Sequence, residues 1–121
     1  MGSNLYKDLT VWQSSINLIK DVYKIADSLP KSEEYNLKQQ LKRAVVSVAL
    51  NIAEGKSRRT AKDFANFLNI SVSSLAEVEA ILVICEGLGY ITEPSRTYSE
   101  IETLGKMINS LRNKLLTRKT E

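Results

Sequence analysis

The residues from Gln40 to Thr60 constrain the fold of this 121-residue chain more than any other stretch. Leucine, valine and isoleucine recur there at intervals of three and four residues, which predicts an amphipathic helix with two adjoining apolar faces. Gly55 closes this pattern, and we expect it to end the helix as a left-handed C′ residue. Thr60, followed three residues later by Asp63, is typical of a capped start of the next helix. A helix that is apolar on two sides needs neighbours on both, so the stretch predicts a bundle.

The rest of the chain shows the same periodicity. No stretch alternates between apolar and polar residues for long, so strands are not expected. The first apolar pattern ends at Pro30, because proline disfavours helical geometry in the residue before it. We predict helices at about residues 9–28, 34–54, 61–87 and 95–117 within a single domain, 1–121. Since the connections are too short for crossovers, the predicted fold is all-α, an antiparallel up-down-up-down four-helix bundle.

The composition excludes several kinds of active site. Without histidine, the chain cannot form a Cys/His zinc site, a Ser-His-Asp triad or a histidine-based acid/base pair. The five glycines are scattered and form no phosphate-binding loop. We therefore predict a protein that is not an enzyme and uses no cofactor or metal. A single cysteine, Cys85, excludes a disulfide framework and favours the reducing cytoplasm. No signal peptide or membrane span is expected, because the apolar runs are short and interrupted.

Charge is segregated along the chain, although the net charge is only +3. Residues 38–62 hold seven basic residues and one acid, residues 63–102 hold seven acids and one basic residue, and residues 106–119 hold five basic residues and no acid. In an antiparallel bundle, the loop after helix two and the end of helix four lie at the same end. The basic residues expected to gather there are Lys56, Arg58, Arg59, Lys62, Arg112, Lys114, Arg118 and Lys119.

This basic end has two interpretations. One is binding of RNA or DNA through the backbone phosphates, largely without sequence preference. The other is that the cations only complement helix C-termini and keep the surface soluble. The basic loop contains no aromatic residue, so a stacking platform for unpaired bases is not expected.

A polar line on helix two also has two interpretations. Arg43, Ser47, Asn51 and Glu54 are spaced by four, four and three residues and share one side of the helix. They could form a polar groove for a ligand. The favoured interpretation is structural, with paired polar groups that fix the register of neighbouring helices.

Helices one to three each carry more apolar surface than an isolated bundle needs, which predicts self-association. A basic segment of one copy meeting an acidic segment of the next would be a heterologous contact, which closes into a ring if the rotation permits. The residues expected to remain as apolar surface are Val11, Leu18, Val22, Val46, Leu50, Phe67 and Ile70.

Several short motifs carry a family resemblance over nearly the whole chain. They are Asp8-Leu9-x-Val11-Trp12-Gln13, Gln40-Leu41-Lys42-Arg43-Ala44-Val45, Asn51-Ile52-Ala53-Glu54-Gly55, Phe67-Leu68 and Leu88-Gly89-Tyr90. In these motifs the chain resembles the four-helix proteins of 23S rRNA intervening sequences. The resemblance implies an intracellular bacterial protein that forms a homopentamer, with a poorly defined function and suspected RNA or DNA binding. A branch related in fold serves as accessory proteins to the reverse transcriptases of diversity-generating retroelements. The alternative function is therefore a protein-interaction scaffold or an accessory subunit, for example a partner of a reverse transcriptase.

Overall fold

The computed structural model describes residues 5–118, which fold into four α-helices and two short 3-10 helices, with no strand in that range. Each helix packs against its two neighbours: α1 and α3 each contact both α2 and α4. The predicted all-α four-helix bundle is confirmed. The helices are α1 Thr10–Asp27, α2 Leu37–Lys56, α3 Ala61–Gly87 and α4 Ser95–Arg118, and the 3-10 helices are Tyr6–Asp8 and Lys31–Glu33.

The core runs the length of the bundle and takes residues from all four helices. Its largest fully buried apolar side chains are Leu18, Val22, Leu41, Val45, Val48, Ile52, Leu68, Val78, Leu82 and Ile108. Cys85 is also fully buried, and this burial raises the pKa of its thiol.

The expectation that Val11, Leu18 and Val22 remain as outer apolar surface is wrong. Their exposed fractions are 5%, 1% and 0%, because this stripe of α1 faces the monomer core. Leu50 and Ile70, by contrast, are 59% and 47% exposed. The surplus apolar surface therefore lies on α2 and α3 and not on α1.

Gly55 does not end α2, contrary to the sequence prediction. The helix continues through Lys56, and Gly55 is buried in its last turn. A Cβ atom at Gly55 would lie 2.8 Å from Cδ1 of Phe64 and 2.8 Å from Cβ of Phe67. Glycine is thus required for the close approach of α3, and not for a left-handed turn.

The start of α3 follows the sequence prediction. The Thr60 hydroxyl oxygen accepts a hydrogen bond from the Asp63 backbone N–H at 3.0 Å, which satisfies one of the free donors of the first turn. Because only residues 57–60 separate α2 from α3, the two helices form a tight antiparallel hairpin.

The end of α3 carries the left-handed glycine that was expected at Gly55. Gly89 has φ 78°. The Tyr90 N–H donates to the Cys85 carbonyl at 3.0 Å and the Gly89 N–H donates to the Glu86 carbonyl at 3.0 Å, the pair of bonds of a Schellman motif. The Tyr90 hydroxyl then donates to the Glu33 carboxylate at 3.0 Å and ties this turn to the α1–α2 connection.

Among residues 5–118, α3 alone is long and apolar enough to cross a membrane by length and composition, which the sequence analysis did not expect. The core helix of a soluble protein passes the same test. In this bundle α3 contacts both α2 and α4, and one of its faces is buried. Its place in the core accounts for the buried apolar face, while Ile70, Val83 and Ile84 of the same helix remain exposed.

Candidate nucleic-acid interface

Three helices bring cations to one end of the bundle, which we call the basic end. Lys56 closes α2, Arg58 and Arg59 lie in the connection to α3, and Lys62 lies in the first turn of α3. The last turns of α4 reach the same end because α4 is antiparallel to α3. A hydrogen bond joins α4 to α3 directly: an Arg112 guanidinium N–H donates to the Asn69 side-chain oxygen at 2.7 Å.

Those predicted cations that lie within residues 5–118 are therefore found at the same end of the bundle. Lys114 lies one half-turn beyond Arg112 on α4 and is exposed. Lys119 and the side chain of Arg118 lie outside the described residues. Lys7, in the 3-10 helix before α1, also reaches this end, and it was not among the predicted cations because the 3-10 helix precedes the apolar pattern of α1.

Most of these cations are free to meet an anion. Within residues 5–118, no hydrogen bond or ion pair engages the side chains of Lys56, Arg59, Lys62 and Lys114. Arg59, Lys62 and Lys114 are exposed, and Lys56 is half-buried. Exposed cations without partners keep their full attraction for phosphate.

Arg58 differs from the other cations because two contacts fix its guanidinium. It pairs with the Glu54 carboxylate of α2 at 2.5 Å. It also lies over the Phe67 ring of α3, 4.6 Å from the ring centroid, in a cation–π contact. This contact could not be predicted from the sequence, since the two residues are nine positions apart and meet only because the α2–α3 turn is so tight.

The opposite end of the bundle is acidic, and part of its charge is neutralised internally. Asp27 pairs with Lys42 at 2.8 Å and with Lys38 at 3.6 Å, and the hydrogen bond from Lys42 lowers the pKa of Asp27. The Glu34 carboxylate accepts a hydrogen bond from Lys38 and raises the pKa of that lysine. These two lysines of α2 thus belong to the acidic end and add nothing to the basic one.

The polar line of α2 divides into a paired middle and exposed ends. The hydroxyl oxygens of Ser47 and Ser74 lie 2.9 Å apart and join α2 to α3. The Asn51 amide donates to the Ser47 carbonyl at 2.8 Å and to its hydroxyl at 3.0 Å. Arg43 and Glu54 are exposed, and Glu54 pairs with Arg58. Ser47 therefore joins α2 to α3, Asn51 bonds to Ser47 within α2, and Glu54 belongs to the basic end.

An apolar groove separates α1 from α4, the least extensive contact between neighbouring helices. Its volume is about 500 Å³, and its residues are Leu9, Thr10, Val11, Lys106, Met107, Ser110, Leu111 and Lys114. Farther along the same helices, the buried Glu100 Oε1 has no hydrogen-bond partner among the described residues. Burial, and next the neighbouring Asp21 carboxyl, raise the pKa of Glu100.

The arrangement offers charge and an apolar groove, and we find no site for a metal ion in the described part of the chain. No group of three or more Cys, Asp or Glu side chains there could hold one. The described residues thus present concentrated positive charge at one end of the bundle and an apolar groove along one side.

Fold and surface together define a small all-α antiparallel four-helix bundle with cations concentrated at one end. Residues 7–110 match the model of the 23S rRNA-intervening sequence protein family. The chain belongs to this family, which confirms the resemblance seen in its motifs.

A solved structure has the same fold. It is the crystal structure of a protein of unknown function from the S23 ribosomal protein family of Bacteroides thetaiotaomicron, with a TM-score of 0.69 and 24% sequence identity. The match covers 88% of this chain and 95% of that one. No curated protein matches the chain.

Proposed function

We propose that this protein is a non-catalytic, self-associating bundle that binds the phosphate backbone of RNA or DNA through its basic end. The observation that carries the proposal is the convergence of cations from α2, α3 and α4 at one end, several of them without a side-chain partner within residues 5–118. The family description, which refers to ribosomal RNA, supports a nucleic-acid context. Such a function belongs where nucleic acid is found, and the proposed location is the bacterial cytoplasm.

The binding should depend steeply on salt, because each phosphate neutralised releases a condensed counterion. Lys56, Arg59, Lys62 and Lys114 are four cations of the basic end whose side chains have no partner among the described residues. If all four contact a duplex, the plot of log K against log salt concentration has a slope of about −3 to −4 per protomer.

The experiment is a fluorescence-anisotropy titration of labelled RNA and DNA duplexes from low to moderate salt. We expect the double variant Arg59→Ala/Lys62→Ala to bind more weakly and to lose about two units of salt slope. The matched control, Lys20→Ala/Lys24→Ala, removes the same charge from exposed positions of α1 away from the basic end. Equal losses in both variants, or no binding by the wild type at low salt, would contradict the proposal.

Self-association is the second part of the proposal and rests on two unpaired surfaces. The outer face of α3 carries the exposed residues Ile70, Glu77 and Ile84. The groove between α1 and α4 is apolar and bordered by Lys106 and Lys114. If the acidic face of one copy contacts the basic groove of the next, the contact is heterologous, and such contacts can close into a ring. The family resemblance implies that this ring has five copies. The exposed large apolar residues in α3 and at its C-cap are Ile70, Val83, Ile84 and Leu88.

Light scattering over a concentration series tests the assembly. The wild type should exceed the 13.6 kDa mass of one chain, and Ile84→Lys should lower the average mass because it puts a cation into the contact. Gln39→Lys, on an exposed position of α2, adds the same charge as a control. A wild type of monomer mass at tens of micromolar would contradict self-association.

An accessory role toward a protein such as a reverse transcriptase is the alternative function. The apolar groove between α1 and α4 favours it, since grooves of this kind take partner helices. Association through apolar surface keeps its strength as salt rises, whereas phosphate binding weakens. Salt-insensitive binding to a protein partner, together with no binding to nucleic acid, would favour this alternative.

A further inference from the structure

We propose that the Arg58–Phe67 pair is a stacking site for one unpaired nucleobase, so that the ligand of the basic end is a nucleic acid with a single-stranded or bulged segment. This inference rests on the proposed nucleic-acid binding and specifies its ligand. It reverses the expectation from the sequence, where the basic loop lacks aromatic residues.

Two contacts hold the planar guanidinium group of Arg58 in place. The guanidinium carbon of Arg58 lies over the Phe67 ring, 4.6 Å from the ring centroid. The Glu54 carboxylate holds one edge. The Arg58 side chain is nevertheless 43% exposed, so part of it remains accessible to a ligand. An unpaired base can stack on a guanidinium plane as it does on an aromatic ring.

The support beneath the guanidinium is rigid. Phe67 lies on α3 where Gly55 lets the two helices approach most closely, with the position of a Gly55 Cβ only 2.8 Å from the Phe67 Cβ. The Phe67 backbone is part of a 27-residue helix. A stacking surface fixed in this way loses little conformational freedom when a base binds.

The neighbouring cations suit such a ligand. Arg59 follows Arg58 directly, and Lys62 lies one helical turn beyond in α3. They can hold the phosphates on either side of a stacked base. In a continuous duplex the base is paired and stacked within the helix, so the guanidinium face is left unused.

The alternative is that Glu54, Arg58 and Phe67 only fasten the α2–α3 turn. In that case Arg58→Lys changes the melting temperature, and it changes the affinity for every nucleic acid equally. A lysine keeps the charge but lacks the planar face, so this substitution separates stacking from phosphate attraction.

The test measures binding of two RNAs at one salt concentration: a blunt duplex and the same duplex with a single bulged 2-aminopurine. We expect the wild type to bind the bulged RNA more tightly and to quench the 2-aminopurine fluorescence. Arg58→Lys should lose about tenfold in affinity for the bulged RNA, together with the quenching, and little for the blunt duplex. Arg96→Lys, an exposed position on α4 at the opposite end, is the matched control and should behave like the wild type.

Each outcome decides between the proposals. If the wild type binds both RNAs equally and Arg58→Lys resembles Arg96→Lys, the base-stacking site is wrong while phosphate binding stands. If the wild type binds neither RNA at low salt, the proposed function itself is wrong. Circular dichroism melts of each variant check that a loss of binding is not a loss of fold.

Discussion

Gly55 offers the sharpest test of the packing between α2 and α3. The substitution Gly55→Ala places a methyl group 2.8 Å from Phe64 Cδ1 and 2.8 Å from Phe67 Cβ, where ordinary contacts begin at 3.4 Å. The Phe64 ring could turn slightly. The Phe67 Cβ is attached to the backbone and cannot, so α3 must move away from α2.

Two opposing terms set the expected size of the effect. Overpacking a close contact costs about 1–3 kcal/mol. Alanine regains up to about 1 kcal/mol of helix propensity, and less in a terminal turn. We expect Gly55→Ala to lower the free energy of unfolding by about 1–2 kcal/mol. The melting temperature should fall by about 3–10 °C for a domain of this size.

A second glycine supplies a control of opposite sign. Gly105 lies within α4, and a Cβ there would meet only Leu75 Cδ1 at 3.9 Å, an ordinary contact. Gly105→Ala should therefore raise stability by about 0.5–1 kcal/mol. Thermal and urea denaturation followed by circular dichroism measure both variants. A Gly55→Ala protein as stable as the wild type would refute the argument from close approach.

Three further predictions concern single interactions. Thr60→Ala removes the cap of α3 and should cost about 1 kcal/mol in urea denaturation; an unchanged midpoint would contradict this role. Gly89→Ala places a side chain at φ 78° and should cost about 1 kcal/mol, measured in the same way; no loss would mean that the turn can relax. Burial and Asp21 raise the pKa of Glu100 in the folded protein. The contribution of this carboxyl to the free energy of unfolding is therefore fully present below the ordinary carboxyl pKa, and it is lost as the pH rises through the raised pKa of the folded state. Glu100→Gln should therefore gain stability relative to the wild type between pH 4 and pH 7, and equal pH profiles of melting temperature would contradict the assignment.

Helical periodicity was sufficient to predict the bundle and the placement of the basic end. The spacing of apolar residues defines which side of each helix is buried, and short connections define antiparallel order. Periodicity could not show how two adjoining stripes divide between core and surface. Val22 of α1 and Leu50 of α2 were both expected to lie on the outer of two apolar faces. Val22 is fully buried, whereas Leu50 is 59% exposed.

The features that the sequence did not predict depend on distances between helices. Gly55 has the position of a C′ glycine in sequence, and only the approach of Phe64 shows its packing role. The Arg58–Phe67 contact likewise depends on the angle at which the hairpin closes. The spacing of apolar residues indicates which side of a helix is buried, but it does not give the distance between two packed helices.

The shortness of the α2–α3 connection also bears on the order in which the chain folds. Residues 57–60 close a small loop, so little chain entropy is lost when these two helices meet, and they form the most extensive contact in the bundle. We expect the hairpin to form the folding nucleus, with α1 and α4 joining afterwards. In the native state, amide hydrogen exchange should then be fastest in α1 and α4, which meet at the smallest contact between neighbouring helices and can open while the hairpin persists. Arg58 and Phe67 both belong to the hairpin, and they would remain together even when the groove between α1 and α4 opens.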